Sequence, residues 1–168
     1  KLLDLILTKT RHLAKADAGS LYLKEGDKHL RFVFTQNISS DWNGKKDVLL
    51  EIKENSISGY TAKTSEPFNL LDVYSIPESF PFTYNKTFDQ TTGYRNKSMV
   101  TMPMYNNSGE VLGVIQLINK RKDYDQHIPG KKLEEDKIIP FNNNDVEFLD
   151  DLASLAAIAL ENARLYQE

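Results

Sequence analysis

Cysteine is absent from all 168 positions, and with it go disulfide staples, thiolate metal centres, thiol nucleophiles and any cofactor attached through sulfur. No apolar run approaches the roughly 20 residues that a bilayer-spanning helix needs. The opening stretch from Lys1 to Leu7 is too short and too amphipathic to act as a signal peptide. Neither sign of charge dominates. The 24 acidic residues face 21 basic ones for a net charge of -3, so no field favours nucleic acid or an anionic bilayer. His12, His29 and His127 lie far apart, without metal-ligand spacing. Gly93, Gly109 and Gly113 are isolated, which is not the pattern of a phosphate loop. Asp150-Asp151 falls in a helical stretch and Glu134-Glu135-Asp136 in a charged one; solvation explains both, and no nucleophile stands beside a base. The absences together predict a soluble, cytoplasmic, non-catalytic chain with no metal, no nucleic-acid partner and no membrane contact.

What is present is enough chain for one compact core, residues 1–168. The most informative part is the pair of apolar runs Ser98–Tyr105 and Val111–Lys120, joined by Asn106-Asn107-Ser108-Gly109. β-rich runs around an Asn/Gly turn make a hairpin, and the polar cluster from Thr92 to Lys97 sits at its entrance, as one wall of a small-molecule pocket. Ahead of it, residues 1–15 carry leucine and isoleucine at helical spacing, broken by Asp17-Ala18-Gly19. Ser20–Leu23 and Leu30–Phe34 flank a turn and predict a first hairpin; Val48–Ile52 is a third strand. Ser56 reads as the N-cap of a short helix from Ile57, and Phe68–Leu71 as a returning strand. The segment from Asp72 to Asp89, with Pro77, Pro81 and five aromatics, fits neither regular element and is expected to fold over something.

After the sheet-forming region 18–120 comes a charged insert, 121–137, containing Pro129-Gly130. Asn144 with Glu147 suggests a capping box for a final helix over 144–168. Its stripe Leu149, Leu152, Ala156, Ala159, Ala163 and Tyr166 is widened by Phe148, Leu155 and Ile158, so it can pack on the sheet and on a second helix. This order predicts an α+β fold, a mostly antiparallel central sheet with the N- and C-terminal helices on one face and the pocket on the other. Tyr22, Phe32, Met102 and Leu117 are expected in the core. Both ends read as helix without a start methionine, so the chain is expected to be a piece of a longer protein whose output lies elsewhere.

The ordered pieces Ala18–Leu23, Ile57–Ala62, Phe88-Asp89 with Thr92–Arg95, Gly109–Lys120 and Ala157–Tyr166 resemble the GAF domains, which are small-molecule sensor modules. The wording is most similar to the cyclic-nucleotide-binding branch of phosphodiesterases and adenylyl cyclases, and to bacterial GAF domains fused to HD-type metal-dependent phosphohydrolases. That branch carries an Asn-Lys pair, then a Phe followed by an acidic pair. Asn119-Lys120, Phe141 and Asp145 match; Val146 stands where the adjacent Glu would be, with Glu147 one place later. The resemblance implies a structural ion pair, Lys120 with Asp145, between last strand and last helix. It also implies a covalently linked output domain and pairing of two copies through the terminal helices. The insert before Ile138-Ile139-Pro140-Phe141 is similar to bacterial examples.

A purine cyclic monophosphate, cyclic AMP or cyclic GMP, is the ligand the resemblance implies, with no permanent cofactor. Phe34, Tyr84 and Phe88 are candidates to cover its base. Ser20, Thr35, Asp89, Thr92, Asn96 and Gln116 are candidates for hydrogen bonds. The amides of Ile57, Ser58 and Gly59, opening a helix, are candidates for the phosphate. Thr35, Asn96 and Gln116 depart from the family's usual acidic or Thr residues. Two further readings stand beside these: Asp89 bracing a turn, Ser20 packing as a small side chain. The whole chain likewise has two, a ligand sensor or a dimerisation and spacer module with a vestigial or self-filled pocket.

Overall fold

The computed structural model describes residues 2–40, 44–124 and 132–167. His127, Pro129-Gly130 and the middle of the charged insert lie outside the described residues, as does the side chain of Tyr166.

Helix α1 (Leu2–Leu13) buries Leu7 completely in the core while Leu5 stays exposed, the division expected of an amphipathic surface helix. The chain leaves the helix at Lys15, which has φ 60. Asp17-Ala18-Gly19 therefore does not break the helix; these residues already belong to β1 (Ala16–Glu25). A turn through Gly26 leads to β2 (His29–Asn37), which pairs with β3 (Gly44–Glu51). Helix α2 (Ile57–Thr64) starts as the sequence predicts, with the Gly59 N–H donating to Ser56 Oγ at 3.0 Å. Strand β4 (Phe68–Leu70) and a short helix, α3 (Thr87–Thr92), precede the hairpin of β5 (Met99–Tyr105) and β6 (Val111–Arg121). Arg121 is thus the last residue of a strand rather than the first of the insert. The chain ends with β7 (Ile138–Ile139) and α4 (Asn143–Gln167).

The strands form one seven-stranded antiparallel sheet in the order β3-β2-β1-β6-β5-β4, with β7 paired to β6. Every residue of β6 is buried, as expected for a central strand covered on both faces. On one face α1 and α4 pack over Leu21, Val100, Met102, Ile115 and Leu117. On the other, α2 and the aromatic segment before α3 cover Ala18, Met99 and Ile118. This is the α+β arrangement the sequence predicts. Gly113 permits the close approach of β6 to β1, since a Cβ there would lie 2.2 Å from the Tyr22 carbonyl oxygen.

The cap of α4 differs from the expected Asn144–Glu147 pair. Asn142 and Asp145 bond reciprocally instead, each backbone N–H donating to the other's side chain at 2.9 Å. Lys120 Nζ, at the end of β6, donates to Asp145 Oδ2 and ties strand to helix. No helix among the described residues is long and apolar enough to cross a membrane.

Candidate functional site

Three cross-strand rows make the floor of a cavity of about 210 Å³ on the face opposite α1 and α4. The middle row is polar: Thr35 pairs with Ser20, and Ser20 with Gln116, across β2, β1 and β6. On one side of it Tyr22 pairs with Phe32, their rings stacked at 4.9 Å between centroids. On the other, Asn37 pairs with Ala18 and Ala18 with Ile118, beside Met99. Tyr84, Asn85, Phe88, Tyr94 and Asn96 close the space from above.

One carboxylate organises this roof. Asp89, buried within α3, accepts hydrogen bonds from Tyr74 Oη, Tyr84 Oη, Asn96 Nδ2 and the Asn96 backbone N–H, the last three at 2.6, 2.6 and 3.1 Å. Burial, reinforced by the bond to Asp89, pushes the Tyr74 hydroxyl up to about 12 and the Tyr84 hydroxyl higher still. Arg95 lies 3.5 Å above the Tyr74 ring and pairs with Asp72, bracing the outer side of the same cluster. A second buried carboxylate, Asp17, accepts from Tyr94 Oη at 2.6 Å and Ser39 Oγ at 2.8 Å, and faces Arg121 at 3.3 Å. Burial first, and then the Asp17 charge, raises the Tyr94 hydroxyl well above its ordinary range.

Of the twelve residues proposed from sequence, Ser20, Thr35, Tyr84, Phe88, Asn96 and Gln116 line this cavity. Asp89 lies one hydrogen bond behind the wall, its oxygens occupied by roof residues. The other five lie off the wall. Phe34 faces the opposite side of the sheet, where it packs with the α1 and α4 core. Leu21 pairs with Phe34 but Tyr22 with Phe32, so Val33 is an extra residue. This bulge reverses the alternation and puts Phe32 on the cavity face. Tyr22 and Phe32, expected in the core, are therefore part of the wall. Ile57 packs in the apolar cluster under the roof, Ser58 is buried in α2, and the Gly59 N–H is already taken by Ser56. Thr92 donates to the Phe88 carbonyl at 2.9 Å and accepts from the Tyr94 N–H at 3.2 Å, closing α3.

Sequence reasoning missed Asn37, Asn85 and Tyr94 as lining residues. Tyr94 carried a signal in the polar cluster before β5, whereas nothing local marks Asn37 or Asn85. A larger groove of about 620 Å³ lies between Leu2, Phe34, Lys46, Leu160 and Arg164. It is a cleft at the ends of α1 and α4 whose polar groups, Lys46, Asp47 and Arg164, are charged, and Asp47 is already paired with Arg31. Among the described residues no cluster of three or more His, Asp or Glu is arranged to hold a metal ion.

Comparison with known proteins agrees with this architecture. The chain is 25% identical over 171 residues to the "cGMP-specific 3',5'-cyclic phosphodiesterase" of Drosophila pseudoobscura pseudoobscura, which covers 96% of this chain and 14% of that protein. The chain thus spans about a seventh of that relative's length. The crystal structure of the GAF domain of a two-component sensor histidine kinase from Bacillus halodurans superposes with a TM-score of 0.65 at 17% identity, covering 99% of this chain and 96% of that one. The GAF domain/HD domain protein from Geobacter sulfurreducens superposes with a TM-score of 0.64 at 14% identity, covering 98% and 92%. Residues 1–160 match the sequence profile of the GAF domain, and the chain belongs to that family of regulatory, non-catalytic sensor domains.

Proposed function

We propose that the cavity over Ser20, Thr35 and Gln116 receives a small organic molecule, and that its occupancy alters the packing of α1 and α4 and thereby a linked output domain. The observation that carries this reading is a concave site with converging neutral polar groups beneath a roof organised around Asp89. Roof and sheet are joined through Tyr94 and Asp17, and Asp17 sits on β1, against which α1 packs. A guest that favours one arrangement of these elements shifts the population toward it; equal affinity for both would shift nothing.

The name of the Drosophila relative makes cyclic GMP, with cyclic AMP beside it, the first probes to titrate. Calorimetry and thermal shift with both, and with a broad metabolite panel, test the reading. Saturable binding that raises the melting temperature supports it; no response to any compound refutes it. A second reading, self-association, is favoured by one observation. Leu5 on α1 and Leu155 and Ile158 on α4 are exposed at 53%, 62% and 41%, an apolar surface suited to a second copy of this chain.

A further inference from the structure

The cavity wall contains no charged side chain among the described residues. Ser20, Thr35, Asn85, Asn96 and Gln116 offer neutral donors and acceptors, and the remaining lining is aromatic or aliphatic. Immediately behind that wall stands Asp89, whose donors Tyr74, Tyr84 and Asn96 are all neutral. The cations nearest the roof, Arg95 and Lys86, lie over the Tyr74 ring and outside the lining of this cavity, and Arg95 is paired with Asp72. The other buried carboxylate, Asp17, is offset by Arg121. An anionic group in the cavity would be desolvated with no cation in the lining to meet it and with Asp89 one hydrogen bond away, an arrangement that opposes anion entry. The helix start that could have received a phosphate, α2, is off the wall, and its Gly59 N–H is used internally.

Size points the same way. About 210 Å³ lies below the roughly 300–1,000 Å³ of clefts for larger ligands, and a cyclic nucleotide has more than twice as many non-hydrogen atoms as its base. The Tyr22–Phe32 pair walls one side of the polar row, and Gln116 uses one amide N–H on Thr101 Oγ1 at 3.4 Å. That leaves its carbonyl oxygen and second N–H for a guest, and a glutamine amide can pair with the edge of a heterocycle through two hydrogen bonds.

Resting on the sensor reading above, we infer that the guest is an uncharged planar heterocycle of nucleobase size, bound by its edge at Gln116 and Ser20, and that nucleotides are excluded by their phosphate. The test titrates the 168-residue chain by calorimetry with adenine, hypoxanthine, cytosine and uracil, and in parallel with cyclic AMP and cyclic GMP. At least one free base is expected to bind at least tenfold more tightly than either cyclic nucleotide. Gln116→Leu and Ser20→Ala are each expected to weaken that base tenfold or more while leaving the circular dichroism spectrum and melting temperature of the unliganded protein near wild type. Tighter binding of a cyclic nucleotide than of every base would overturn this inference and leave the sensor reading standing. Failure of all four bases, or base binding indifferent to both substitutions, would also overturn it.

Discussion

Asp89 shows how a side chain can govern a site without touching what the site holds. Four donors converge on its carboxylate from three parts of the roof, and buried donors without partners are expensive. Asp89→Ala is expected to destabilise the fold by about 2–4 kcal/mol, read from urea denaturation, with hydrogen exchange rising first in residues 74–96. A loss no greater than that of an ordinary surface substitution would show that the roof does not depend on it. Asn119 has a similar structural role at the end of β6. It adopts φ 59, which asparagine tolerates better than most residues. Its side chain accepts from the Lys97 N–H and donates to the Arg95 carbonyl, each at 2.7 Å. At this scale the sequence was half legible. Ser20 and Gln116 were found through the family resemblance, as polar candidates on predicted strands. Phe32 and Phe34 could not be told apart, because Phe32-Val33-Phe34 is apolar throughout and a bulge leaves no trace in such a run.

The elements themselves were more legible, since periodicity and turn chemistry are local signals. The hairpin of β5 and β6 and the Ser56 start of α2 stand where the sequence puts them. The start of α4 was misplaced by the crowded Asn142-Asn143-Asn144 run, where any of three asparagines suits a cap and only geometry selects Asn142. Asp145 has two partners, the Asn142 N–H and Lys120. Asp145→Ala is therefore expected to cost about 1–3 kcal/mol, more than Lys120→Met, which leaves the cap in place. Equal losses in urea denaturation would assign the whole effect to the ion pair. The widened apolar stripe of α4 divides between two sides: Leu149 and Ala156 are buried toward the sheet, whereas Leu155 and Ile158 face out. Leu155→Glu with Ile158→Glu is expected to abolish self-association in sedimentation velocity without lowering the melting temperature. A wild-type protein that stays monomeric at every concentration would refute that interface.

For the molecule as a whole, the aromatic side of the sheet sets an alkaline limit. Tyr22 and Tyr74 are pushed up to about 12 from an ordinary 10.0, Tyr22 by burial and Tyr74 by burial together with Asp89. Between those values the folded state keeps protons that the unfolded chain releases, so raising the pH favours unfolding. Their contribution to stability is complete below pH 10 and declines as pH rises through about 12. Thermal melts across that range, with tyrosinate absorbance followed in parallel, should show the midpoint falling as these side chains ionise. A flat midpoint would contradict the burial of both hydroxyls. Whether the hollow over Gln116 accepts a guest is decided by a crystal structure grown with the tightest compound of the metabolite panel. Density for that compound is expected in contact with Ser20 and Gln116 beneath Tyr84; density in the groove beside Phe34 and Leu160 instead, with the hollow filled by protein side chains, would refute the sensor reading.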